Sequence, residues 1–312
     1  MAALGGMLRK ALAILGCVAL LAAPAFLGGY FIYLLSLIGV FSLVAIGLNL
    51  LTGYSGQISL GHSAFFAVGA YGSALLVSRV GLPFWLAIPI AGALAALIGA
   101  VVALPALRLK NLYLAIATLG AGIVTQRLIF EWRSVTGGGG GLEVPAPQLG
   151  PWTLATGGQM YYLILLCVVG GGWSAANLVR SRTGRAMVML RESEVAAGCL
   201  GIPVAKYKVI AFGLSGFYVA IAGALYAFLV HYINPESFNV NLSIMFLAMI
   251  VIGGLGTITG SVLGAIFYVA IPEIFRGIKD APGLVFGLSL IVVMVLMPRG
   301  LAGLWRRAQR ND

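Results

Sequence analysis

Two histidines, three cysteines and eight carboxylates are the whole supply of side chains in this 312-residue chain suited to acid–base catalysis or metal binding. They do not gather. Cys17, Cys167 and Cys199 are odd in number and far apart, which indicates neither a disulfide framework nor a metal site and leaves them as small buried hydrophobes. His62 and His231 each stand alone beside an irregular stretch, where a hydrogen-bonded structural role is the first reading. Glu131, Glu236 and Glu273 fall at the expected outer ends of apolar runs, so the intramembrane carboxylate of an ion-coupled carrier is not evident. Five consecutive glycines, Gly137 to Gly141, resemble a phosphate cradle, but no lysine follows a glycine anywhere and the pattern GxxxxGK(S/T) is absent. Nucleotide hydrolysis by this chain is therefore not expected, and no metal or cofactor is called for.

Polar groups do collect in two Gly-rich interruptions of otherwise greasy sequence. The first, LTGYSGQISLGHS over 51–63, alternates glycines and polar residues where plain hydrocarbon is expected. Backbone there has to be unwound or re-entrant, and irregular backbone at membrane depth is tolerated only where protein or a water-filled cavity supplies hydrogen-bond partners. Transporters use such segments to line substrate paths, which makes Asn49, Ser55, Gln57, Ser59 and His62 candidate lining groups. The second, GGLGTITG over 253–260, adds Thr257 and Thr259. A plain cytoplasmic turn is the alternative for both, with small residues in the second serving close helix packing.

The one long polar segment, RSRTGRAMVMLRESEVAAGCLGIPVAKYK over 180–208, holds six of the nineteen basic residues. Within it 192–201 reads as a short amphipathic helix. Glu192 and Glu194 lie in its first turn, favoured by the helix dipole, and Gly201-Ile202-Pro203 stops it. Val195, Cys199 and Ile202 form a narrow apolar stripe on a piece too short to be stable alone, so the helix needs something to dock against.

The elements that position these groups are membrane spans. Hydrophobic residues make up 61% of the chain and charged ones 9%, against roughly a quarter charged in a soluble domain. The net charge of +11 does not indicate nucleic acid, because the basic residues sit at the ends of apolar runs, as topology signals and contacts to anionic lipid do. Apolar runs occur at 11–27, 30–51, 58–77, 84–104, 112–130, 160–179, 209–230, 242–252, 258–271 and 284–297. A crossing needs roughly 20 apolar residues, so the eighth and ninth runs are short enough to be one broken helix. Charge chooses between these counts. With ten crossings and a cytoplasmic N-terminus, fourteen basic residues lie inside, while Arg79, Arg133, Arg276 and Lys279 lie outside and Arg127 near an outer span end. Merging the eighth and ninth runs would put the C-terminal arginines outside, against the positive-inside rule. The expectation is an all-α polytopic membrane protein of about ten transmembrane spans with two Gly-rich broken segments. It is a single transmembrane domain, 1–312, with an external loop at 131–159, a cytoplasmic loop at 180–208 and both termini in the cytoplasm. Arg9-Lys10 before the first run, with Ala23-Pro24-Ala25 near its end, also fits a signal peptide, whose removal would leave the remaining topology unchanged. The external loop reads as a flexible, partly extended segment, or as a landing surface for an external partner.

Four stretches, GYSGQISLGHSAFFAVGAYGSALL at 53–76, YLAIATLG at 113–120, SVTGGGGGL at 134–142 and ESEVAAGCLGIPVAKYKVIAF at 192–212, resemble the membrane-spanning permeases of branched-chain amino acid ABC importers of the LivM type. The resemblance covers nearly the whole chain. It implies that Glu192, Glu194, Ala196, Ala197 and Gly201 belong to an EAA-like coupling helix that sits in a groove of an ATP-binding subunit. The acid and the two alanines are separated here by Ser193-Glu194-Val195, a degenerate form of that motif. It further implies two ATP-binding subunits, a second related permease and an extracytoplasmic substrate-binding protein, in a bacterial-type inner membrane. The competing class is an ion-gradient-driven secondary amino-acid transporter. A membrane enzyme or simple channel fits less well, since neither a catalytic cluster nor a repeated charged ring is found.

Overall fold

The computed structural model describes residues 20–109, 111–149, 152–153 and 157–275, together with 287–288, 291 and 300–303. The described part is a helical bundle. Helix α1, Gly29–Asn49, continues into a π-helical turn, Leu50–Tyr54, and an irregular stretch leads to α2, His62–Ser78. Then come α3, Phe84–Ala106, and α4, Asn111–Glu131. After the segment that follows α4 lie α6, Gly157–Arg180, a pair of short helices, α7, Arg182–Glu192, and α8, Glu194–Cys199, and the long α9, Val204–Val230. Helices α10, Val240–Gly253, and α11, Ile258–Ile274, follow.

Among the described residues five helices are long and apolar enough to cross a membrane: α1 with its π turn, α3, α4, α6 and α9. Helices α2, α10 and α11 are apolar but shorter. The expected first and tenth runs lie mostly or wholly outside the described residues, so the described helices do not fix the count of ten. The eighth and ninth runs are two antiparallel helices, not one broken one. A Cβ on Gly253 would strike the Gly260 carbonyl, and one on Gly264 would strike that of Met249, pairings that only a tight hairpin produces. At about 1.5 Å per residue the fourteen residues of α10 reach about 21 Å, short of a hydrocarbon core of about 30 Å. A hairpin returns the chain to the side it left whether or not each arm crosses.

Helix α9 is the hub, packing against α1, α2 and α3. Close approach is by small residues: Gly69 of α2 lies on the Ala220 backbone, Gly223 of α9 on that of Phe66, and Gly216 on that of Ala95 in α3. Around these contacts Phe66 packs against Tyr226, Phe238 and Phe246 at ring separations of 5.3, 5.8 and 5.5 Å. In contrast few residues of α4 and α6 are fully buried, and Leu128, Leu166 and Trp173 stand exposed. Such surface needs lipid or an apolar protein partner.

At one end of α9 the segment between α4 and α6, expected as a flexible, partly extended stretch or a landing surface, carries short helical turns and two-residue strands among its described residues. Helix α5, Arg133–Thr136, has its carbonyls taken by Arg79, whose Nη2 donates to Ser134 O and Val135 O at 2.7 and 2.9 Å. Strand β1, Leu142–Glu143, pairs antiparallel with β4, Tyr232–Ile233, and β2, Gln148–Leu149, pairs with β3, Trp152–Thr153. The glycine run makes the turn that permits this. Gly137, Gly138 and Gly141 take φ of +79°, +58° and +72°, and a Cβ on Gly141 would lie 2.5 Å from the Tyr232 hydroxyl. The other end of α9 carries α7, α8 and both Gly-rich interruptions.

Candidate functional site

The first interruption is unwound. Past the π turn Gly56 adopts φ +73°, and residues 56–61 have no regular structure. Its polar groups find partners locally and on neighbouring helices, as backbone inside a membrane requires. Thr52 Oγ1 donates to Gln57 O at 3.0 Å, and Gln57 Nε2 donates to Ser55 Oγ at 2.6 Å. Leu60 N donates to Thr118 Oγ1 of α4 at 3.0 Å, and Ser63 N to Ser243 Oγ of α10 at 2.8 Å. The imidazole of His62 is fully buried, with Nδ1 2.9 Å from Ser59 Oγ and Nε2 2.7 Å from Ser215 Oγ of α9. A neutral imidazole offers one donor and one acceptor, and both are engaged. One buried acceptor is left over: Gln57 Oε1 has no partner among the described residues.

The second interruption docks on the first through Asn49. Its Nδ2 donates to Thr257 O and to Ser261 Oγ, both at 2.8 Å, and its Oδ1 accepts from Gly256 N at 2.9 Å. Thr257 Oγ1 donates to Gly254 O at 2.8 Å, while Thr259 is exposed in the first turn of α11. Of the seven polar residues singled out in the sequence, Asn49, Ser55, Gln57, Ser59, His62 and Thr257 are buried within this chain. The two interruptions are thus one structure.

Arg191 joins that structure to α7 and α8. Its Nη1 donates to Gly53 O at 2.8 Å, while Nε and Nη2 hold Glu192 Oε1 at 3.2 and 2.7 Å. The helix expected over 192–201 starts later. Glu192 closes α7, and Ser193, extended at φ −164°, caps α8 by accepting from Ala196 N at 3.2 Å. Only Glu194 occupies the first turn of α8. Its carboxylate meets Lys208 Nζ of α9 at 2.7 Å, the lysine side chain being 3% exposed. The far end is a Schellman cap. Ile202 N donates to Ala197 O and Gly201 N to Gly198 O, both at 3.0 Å, with Gly201 at φ +76°. Ala197 is buried beneath α8, Ala196 and Cys199 are exposed, and Val195 and Leu200 are 73% and 66% exposed. The apolar stripe therefore faces away from its own chain, Leu200 joining it and Ile202 half-buried.

Arg191, Lys208, Ser215, Ser243, Thr118 and Ser261 escaped the reading of the sequence. Lys208 and Ser215 carried a usable signal, being polar residues at the start of and within an apolar helix. The others are recognisable only by what they meet in space.

Among the described residues no group of three or more His, Cys, Asp or Glu converges to hold a metal ion. The described site is thus a bundle of apolar helices with two interruptions stitched together, beside a short capped helix that turns its apolar face outward. The family model described as "Branched-chain amino acid transport system / permease component" matches residues 30–298, and the chain belongs to that family. It is 35% identical over 291 residues to the high-affinity branched-chain amino acid transport system permease protein LivM of Escherichia coli K12, covering 86% of this chain and 68% of that protein. The corresponding LivH protein of the same organism is 26% identical over 287 residues, covering 84% and 91%. A probable LivM protein of Methanocaldococcus jannaschii is 23% identical over 317 residues, covering 84% and 90%. Membership of this family favours the ABC importer and sets aside the ion-driven carrier.

Proposed function

We propose that the chain is the membrane-spanning subunit of an ATP-driven importer of branched-chain or related amino acids, placed in a bacterial-type inner membrane with both termini cytoplasmic. Two ATP-binding subunits, a second related permease and an extracytoplasmic binding protein complete the assembly. The family match over 30–298 is the observation that carries this reading. Similarity to both a LivM and a LivH protein supports pairing with a related but different permease. The outward apolar face of α8 suits a groove on an ATP-binding subunit, with Glu192, Glu194, Ala196, Ala197 and Gly201 shaping or seating that helix.

ATP binding closes the ATPase pair, α8 carries that movement into the bundle, and the path switches from inward to outward facing, a two-state element driven by differential binding. The path runs along the interruptions. Gln57 offers its unused carbonyl and Thr259 an exposed hydroxyl, while Asn49, Ser55, Ser59, His62 and Thr257 hold the unwound backbone in shape. The test is uptake into proteoliposomes that contain the purified assembly, with internal ATP and no ion gradient. ATP-dependent uptake supports the reading. Uptake that ignores ATP and collapses with an ionophore refutes it.

A further inference from the structure

A helix that ends inside a membrane leaves carbonyls without intrahelical partners and a partial negative charge at its C-terminus. At the end of α1 the nearest later amide is used elsewhere, since Gln57 N donates to Leu51 O at 3.2 Å. The carbonyl of Gly53 instead receives Nη1 of Arg191, a cation at the negative end of a helix. The same side chain lies against the second interruption, because a Cβ added to Gly256 would stand 3.1 Å from Arg191 Nη1. It also lies against the turn that follows the π segment, where a Cβ on Gly56 would be 2.9 Å from Arg191 Cγ and 3.1 Å from its Cα. Only glycine at both positions lets the arginine reach both segments.

Arg191 is held from behind as well. Glu192 takes its Nε and Nη2, and Glu194 is paired with Lys208. Helix α8 is therefore pinned at its first turn to α9 and, three residues earlier, bonded to the first interruption and packed on the second, so a push on α8 arrives at the place where Asn49 binds one interruption to the other.

We infer that Arg191 is the positioning residue that transmits movement of the cytoplasmic helices to the paired interruptions. This rests on the ABC permease reading. It adds a transmission point that lies inside the permease, separate from the surface presented to an ATP-binding subunit. Lysine keeps the charge but lacks the planar fork, and so cannot hold Glu192 in two bonds while donating to Gly53. Removing one charge-assisted hydrogen bond from one of two states shifts their balance by about tenfold or more.

The experiment uses the reconstituted assembly and measures amino-acid uptake per ATP hydrolysed, parent against Arg191→Lys. The expected result is a drop of about tenfold in uptake per ATP with ATP hydrolysis continuing. A second readout is thiol labelling of Leu255→Cys, at the exposed tip of the hairpin between α10 and α11, in a chain whose own cysteines are replaced by alanine. Its rate should change between nucleotide-free and ATP-bound states in the parent and stay constant in Arg191→Lys. If Arg191→Lys lowers the yield of assembled complex, Gly256→Ala crowds the guanidinium, with the added strain of an L-residue at φ +71°, and should give the same uncoupling. Unchanged uptake per ATP in the variants, uptake and hydrolysis falling in proportion, or a hairpin tip that ignores nucleotide in the parent would each overturn the assignment of Arg191. Parent uptake that needs no ATP would instead overturn the ABC reading, so the two failures are told apart.

Discussion

Gly201 allows the coupling helix to be tested with little ambiguity. A Cβ at this position meets nothing within 4 Å, so a substitution acts first through the backbone. At φ +76° an L-residue with a side chain is in the left-handed region, at a penalty of about 1–2 kcal/mol. Helix α8 has six residues, far below the length at which a helix is stable unaided, so this penalty is a large share of what holds it. A loss of that size lowers the correctly capped population about 5- to 30-fold relative to its competitors. Uptake into ATP-loaded proteoliposomes and substrate-stimulated ATPase activity should fall together in Gly201→Leu. Gly201→Asn is the control, because asparagine tolerates the left-handed conformation, and it should keep most of both activities. Equal losses in the two variants would show that side-chain bulk at a docking surface matters and would refute the backbone argument, as would a Gly201→Leu protein of normal activity.

Single-cysteine labelling in intact cells should leave Ser181→Cys and Asn311→Cys protected and Gly140→Cys accessible, Gly140 having open space at its Cβ position; labelling of position 311 from outside would contradict the fourteen-to-four charge asymmetry. Gln57→Leu removes the buried acceptor left without a partner and the bond to Ser55, so uptake should drop while the assembly purifies intact, and unchanged transport kinetics would return 51–63 to an ordinary turn. Asn49→Leu deletes three buried hydrogen bonds and orphans Gly256 N, and at about 1 kcal/mol per bond in a membrane it should cost about 2–4 kcal/mol, seen as a lowered midpoint in thermal unfolding of the detergent-solubilised chain. A shift below that of a surface control would mean that water replaces the asparagine.

Helix positions were legible because hydrocarbon imposes one rule on every span, and the ends expected at 84, 230, 252 and 258 agree with the structure to within a residue or two. Both interruptions were visible as glycines and polar residues in apolar sequence. Their pairing was not. Asn49 and Thr257 are neighbours only because α1 packs on the α10–α11 hairpin, and nothing local to either announces the other. The start of α8 was misplaced by the two acids on either side of Ser193, which suit a first turn equally well. Ser193, a preferred N-cap three residues ahead of the amide it accepts, was the discriminating signal. The five glycines suggested slackness by composition, whereas Tyr232, far along the chain, turns them into a specific bend by donating to Gly140 O at 2.7 Å.

The Asn49 stitch also sets a timetable for biogenesis. Asn49 is synthesised 208 residues before Thr257, which at about 5–20 residues per second is an interval of about 10–40 s. Throughout that time the end of α1 stands in the bilayer with its amide unmatched, and Gly53 waits for Arg191 for most of it. A chain halted after Val230 would have its hub helix complete while the end of α1 still lacked its partner. Arrival of the hairpin is the event that locks the N-terminal half. Membrane proteases that survey unsatisfied polar groups within spans have until then to remove a defective copy.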